Sequence, residues 1–155
     1  MVKVLFVCLG NICRSPMAEG LMRKFSEQHG LDFEVDSAAT STWELGNPPH
    51  RGTQEILRRE QIDFSEMYSR PVTAADFREF DWLIGMDQRN VDYLRAMAPK
   101  GTEHKIYHYL LSVREKVGED IPDPFYTGDF EQTYQLLSAG LQWWAAQFLF
   151  YADEE

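Results

Sequence analysis

The chain is poor in cysteine, in positive charge and in long apolar stretches. Its only two cysteines, Cys8 and Cys13 in 155 residues, cannot form the disulfide framework of small secreted domains, so a reducing, cytoplasmic setting is expected. Basic side chains number 15 against 25 acidic ones, a formal net charge of −10. A surface of that sign does not neutralise a phosphate backbone, and no nucleic-acid partner is expected; a local pocket for one anion remains compatible with it. No stretch approaches the ~20 apolar residues of a membrane span, so no membrane partner is expected either. The run Val4 to Leu9 behind Met1 and Lys3 is too short for a signal peptide, and Asn11 and Arg14 stand where small cleavage-site residues belong. The sequence has no G-x-x-x-x-G-K-[ST] string, which excludes a Walker-type nucleotide loop. Cys8-x4-Cys13 and His104-x3-His108 lack the spacing of a zinc finger, so no metal is expected.

What is present fits one domain over residues 1–155, with 44% hydrophobic residues to build a core. Apolar runs without strict alternation at Val4 to Leu9, Trp82 to Met86 and Ile106 to Leu111 read as strands buried on both faces, with Phe33 to Ser37 a shorter candidate. Helical spacing appears between them. Ala18, Leu21, Met22 and Phe25 follow Ser15-Pro16, read as a cap and a first-turn proline, and His29-Gly30 marks the end. Further helices are predicted after Gly46-Asn47-Pro48-Pro49 as far as Gln61, over Asp87 to Met97, and from about Asp129 to Tyr151. This alternation predicts a three-layer α/β sandwich, a parallel sheet flanked by helices on both faces. Ligands bind such sheets beyond the carboxyl ends of the strands.

The first of those ends reads CLGNICRSP from Cys8. A loop of converging N–H groups on a helix N-terminus cradles a tetrahedral dianion, and Gly10 and Asn11 tolerate the left-handed backbone it needs. Arg14 adds a planar, permanently charged fork for phosphate oxygens. The same donors favour the thiolate of Cys8, making it a nucleophile placed for in-line attack; alone, a strand cysteine is more often a small buried hydrophobe. A phosphate ester with a poor leaving group also needs an acid. Asp123, between Pro122 and Pro124, can overhang a pocket, although a turn aspartate is equally read as solvated. Phe125, Tyr126 and Trp43 suit either a cleft for an aromatic group or ordinary packing.

With VCLGNICRSP, VDSAATSTWELGNPP (Val35 to Pro49), GMD (Gly85 to Asp87) and PDPFYTGDFEQTY (Pro122 to Tyr134), the chain resembles the low-molecular-weight protein tyrosine phosphatases over essentially its full length. The resemblance implies a four-stranded parallel sheet, a phosphocysteine intermediate and no cofactor. It implies Cys8 as nucleophile, Arg14 as phosphate clamp and Asp123 as acid and then base. It further implies Asn11, Ser15 and Ser37 as a network shaping the loop, with the Ser15 hydroxyl stabilising the thiolate. Leu9, Trp43, Phe125 and Tyr126 become cleft walls, and Asp87 a supporting carboxylate. Gly10, Ile12 and Cys13 complete the phosphate-binding loop, Cys13 matching a resolving cysteine able to form a redox-protective disulfide with Cys8. Glu60 stands where many members have a histidine joined to the serine-asparagine network, and Phe125 begins an aromatic pair that is often Tyr-Tyr.

Related arsenate reductases need further cysteines, and this chain has none after Cys13. Related arginine phosphatases usually carry threonine where Ile12 stands, so isoleucine favours phosphotyrosine. A phosphoprotein-binding module would need neither Asp123 nor Ser15. Tyrosine-phosphorylated proteins are therefore the expected partners, phosphate or another oxyanion the expected loop ligand, and a monomer or weak homodimer the expected state.

Overall fold

The computed structural model describes residues 1–152. Four parallel strands, β1 (Val2–Cys8), β2 (Phe33–Ala39), β3 (Trp82–Gly85) and β4 (Ile106–His108), lie in the order β2-β1-β3-β4. The helices are α1 (Arg14–Gln28), α2 (Arg51–Arg59), α3 (Asp76–Glu79), α4 (Gln88–Met97), α5 (Pro124–Thr127) and α6 (Phe130–Ala152).

Because side chains alternate across a strand, β1 feeds two cores. Val2, Val4, Phe6 and Cys8 face the layer holding α1 and α6 with Met17, Leu137, Trp144 and Phe148. Leu5 and Val7 face the opposite layer with Phe77, Phe80, Val91 and Leu94. The central strand is thus buried on both sides, which is why its sequence reads as a continuous apolar run. The predicted three-layer α/β architecture is the observed one.

Two local expectations need correction. The last strand was expected from Ile106 to Leu111 but stops at His108, where a 3₁₀ turn over Tyr109–Ser112 begins. That turn buries the Tyr109 ring and sends its hydroxyl to the Leu137 carbonyl of α6, so the apolar run continues into helix packing. Ser15 is not the cap of α1: the helix starts at Arg14 after Cys13, with no side-chain capping bond. The Ser15 hydroxyl instead turns back toward Cys8. The helix ends near its predicted point, with His29 at its C-terminus and Gly30 at φ +63°. Among the described residues no helix is long and apolar enough to cross a membrane.

Candidate active site

Cys8 ends the central strand and is 3% exposed, and the loop that follows wraps around its sulfur. The loop's carbonyls are tied outward. Thr40 N donates to Cys8 O at 3.0 Å, Ser41 Oγ to Leu9 O at 2.8 Å and Ser69 Oγ to Gly10 O at 2.8 Å. His50 N donates to Ile12 O at 2.7 Å and Thr53 Oγ1 to Cys13 O at 3.0 Å. In a planar trans peptide the next N–H points opposite its carbonyl. The N–H groups of Leu9, Gly10, Asn11, Cys13 and Arg14 therefore turn to the inner side, above the first turn of a 15-residue helix. Asn11 takes φ +56°, the left-handed conformation that bends the loop.

A narrow pocket of about 70 Å³ opens over this loop. Cys8, Leu9, Gly10, Ile12, Cys13, Trp43, Asp123, Phe125 and Tyr126 all line it, joined by Glu44, which the sequence reading did not single out. Trp43, Phe125 and Tyr126 are well exposed and form its rim, not core packing. Phe125 stands edge-on to His50 with ring centroids 6.0 Å apart, and His50 stacks on Phe130 at 5.0 Å. Gly52 makes that stack possible, since a Cβ there would overlap the Phe130 ring.

Arg14 lies behind the pocket, 2% exposed. Its Nη1 donates to Asp87 Oδ2 at 2.8 Å and to the Ile121 carbonyl at 2.9 Å, and its Nη2 reaches Asp123 Oδ2 at 3.4 Å. Its Nε is buried and has no protein partner among the described residues. Burial on its own would lower the Arg14 pKa, but Cys8, Asp123 and Asp87 outweigh it and hold the guanidinium above its ordinary value. Asp87 itself is fixed as the N-cap of α4 in a capping box with Asn90. Asp123 caps α5, its Oδ1 accepting from Phe125 N at 3.0 Å. One short proline-bounded segment thereby sets both the carboxylate and the aromatic rim.

Beneath the loop, Cys8 Sγ is 2.9 Å from Ser15 Oγ, and Asn11 Nδ2 donates to Ser15 Oγ at 2.8 Å and to Ser37 Oγ at 2.9 Å. Glu60 does not join this network. It lies at the end of α2, accepting from the Tyr134 hydroxyl at 3.0 Å and from Arg59. Ser37 is held instead by Glu19, a residue the sequence reading passed over; the signal was there in Ser15, Glu19 and Arg23, spaced by four along one face of α1. His108 pairs with Asp120 at 2.8 Å, and among the described residues no cluster of three His, Cys, Asp or Glu side chains could hold a metal ion.

Residues 3–149 match the family model described as low molecular weight phosphotyrosine protein phosphatase. The low molecular weight protein-tyrosine-phosphatase YfkJ of Bacillus subtilis is 50% identical over 145 residues, 92% of each chain. PtpA of Staphylococcus aureus, also a low molecular weight protein-tyrosine-phosphatase, is 45% identical over 140 residues, covering 88% of this chain and 87% of its own. Superposition on the crystal structure of YfkJ gives a TM-score of 0.91 over 100% of this chain and 97% of that one, at 45% identity. A matching family model over nearly the whole length, relatives at this identity and a shared fold lead to one conclusion: the chain belongs to the low molecular weight phosphotyrosine protein phosphatase family.

Proposed function

We propose that the pocket hydrolyses phosphotyrosine in proteins, and small aryl phosphates, through a phosphocysteine at Cys8, without a metal or other cofactor. The loop N–H groups and Arg14 hold the phosphate, and the Cys8 thiolate attacks phosphorus opposite the phenolic oxygen. As the S–P bond forms and the P–O bond breaks, Asp123 gives its proton to the departing phenolate. Asp123, now a carboxylate, takes a proton from water. The resulting hydroxide attacks phosphorus, the S–P bond breaks, and the thiolate leaves toward the Ser15 hydroxyl. Asp87 and the Ile121 carbonyl position Arg14 from behind.

The observation that carries the reading is Arg14 Nε: a buried, charged N–H group with no protein partner among the described residues, on the guanidinium that lies behind the Cys8 pocket and reaches Asp123 through Nη2. A phosphate oxygen satisfies it, and leaving it unsatisfied costs free energy. Trp43, Phe125 and Tyr126 on the rim suit the flat ring of a phosphotyrosine, and Ile12 adds an apolar side chain to the lining. Substrates are tyrosine-phosphorylated proteins, the setting is cytoplasmic, and the chain acts as a monomer or weak homodimer.

Cys13 serves as a redox guard. Burial pushes its thiol pKa up, Cys8 and Asp123 push it further, and Arg14 opposes them. Cys13 therefore stays a neutral thiol until peroxide converts Cys8 to its sulfenic acid; the Cys13 sulfur then displaces that hydroxyl, forming the Cys8–Cys13 disulfide and releasing water. The decisive experiment is Cys8→Ser assayed on phosphotyrosine, phosphoserine and phosphoarginine peptides beside the unaltered protein. The expected result is a phosphotyrosine preference abolished by the substitution, with vanadate binding retained; hydrolysis surviving in Cys8→Ser overturns the assignment.

A further inference from the structure

Glu19 is a carboxylate that the steps above do not use, yet it is 5% exposed in the domain. Burial pushes its pKa above the usual carboxylate range, while Ser37 and Arg23 pull the other way. A charge kept at such depth costs free energy unless paired and hydrogen-bonded. Its two oxygens are divided: Oε1 accepts from Ser37 Oγ at 2.6 Å, and Oε2 is held by Arg23, which also donates to the Val35 carbonyl at 2.9 Å.

Counting hydrogens along the chain gives it a direction. Ser37 has one hydroxyl hydrogen, and an ionised carboxylate only accepts, so that hydrogen goes to Glu19. The Ser37 oxygen is then left to accept from Asn11, which must present its NH₂ group and not its carbonyl. Arg70 N at 3.2 Å from Asn11 Oδ1 agrees with that orientation. The second hydrogen of the same amide reaches Ser15 Oγ, and the hydrogen of Ser15 remains for Cys8 Sγ at 2.9 Å.

We propose that Glu19 is a positioning residue: its ionised carboxylate, through Ser37 and Asn11, orients the Ser15 hydroxyl so that it donates to the sulfur of Cys8. The proposal rests on the reading of Cys8 as nucleophile. Glu19→Gln keeps the shape but supplies an NH₂ donor to Ser37, which frees Asn11 to turn its carbonyl toward Ser37 and Ser15 and draws the Ser15 hydrogen away from sulfur.

The test measures kcat, KM, alkylation of Cys8 by iodoacetamide at acid pH, and thermal unfolding at neutral pH. Glu19→Gln is expected to lower kcat about ten-fold, the scale of one hydrogen bond to a charged group. KM should stay within about two-fold, since the phosphate contacts are untouched. Alkylation should slow with kcat, and the unfolding midpoint should not fall. Ser15→Ala combined with Glu19→Gln should be no slower than Ser15→Ala alone, because both act through one hydrogen. Unchanged kcat and alkylation, or losses that multiply in the double variant, overturn the proposal. If Glu19→Gln does not fold, Ser37→Ala cuts the same chain without touching the ion pair and is held to the same outcomes. Cys8→Ser keeps the readings apart: activity surviving there sinks the nucleophile, whereas normal kinetics in Glu19→Gln beside an inactive Cys8→Ser sink only the role of Glu19.

Discussion

The two ends of the sheet are both concave and are built on opposite principles. At the carboxyl end, the pocket over Cys8 measures about 70 Å³ and rests on buried polar side chains, Asn11, Arg14, Ser15 and Ser37, each with directional partners. At the amino end, a groove of about 480 Å³ is lined by Trp82, Tyr107, Trp144, Phe148 and Tyr151. There the rings pack at centroid distances of 5.0 to 6.1 Å, tilted, stacked or edge-on. Aromatic packing is tolerant of angle and stabilises through area, whereas hydrogen-bonded charge is intolerant of angle and sets chemistry. Substitutions at the first end should therefore alter rate, and at the second, stability.

The largest test of that contrast is Asp123→Ala. Losing a general acid slows turnover by roughly 10² to 10⁴-fold. A rate within a few-fold of the unaltered protein would place the proton donor elsewhere. Trp144→Ala probes the other end. Its ring is fully buried among Trp82, Tyr109 and Phe148, and its Nε1 donates to the Tyr109 carbonyl at 3.0 Å. The expected cost is about 3–5 kcal/mol in denaturant unfolding, with kcat of the folded fraction preserved within about two-fold. A matching collapse of kcat under folding conditions would show that the two ends are not independent. The smallest effect is expected from Cys13→Ser, which should raise the share of activity that peroxide destroys beyond recovery by a thiol reductant. Equal recovery in both proteins would remove Cys13 as the guard.

Much of the site was legible because it is local. Cys8, Gly10, Asn11, Arg14 and Ser15 lie within eight residues, and strand, loop and helix N-terminus in succession already imply an anion cradle. Asp123 was legible as a proline-flanked carboxylate, but its 3.4 Å approach to Arg14 spans 109 residues and no local pattern encodes it. Glu60 was legible as a departure from the family's usual histidine, but that it turns to Tyr134, 74 residues on, while Glu19 holds Ser37, is again encoded by no local pattern. Ser15 misled differently. A serine before proline is a natural cap, and only the closeness of Asn11 and Cys8 decides that its hydroxyl faces the loop.

By itself the sequence determined the alternation of buried strands and helices, the three-layer order, and a thiol, a guanidinium and a carboxylate in loops at one edge of the sheet. These follow from periodicity and backbone preference, which act over a few residues. Tertiary structure alone decided which carboxylate holds which cation across elements: Asp87 and Asp123 on Arg14, and Asp36 on Arg70. It also brought Ser37, Asn11, Ser15 and Cys8 into one hydrogen-bonded chain. Such choices depend on approaches of about 3 Å between elements far apart in the chain, where burial lowers the local dielectric and makes one partner, in one orientation, the one that counts.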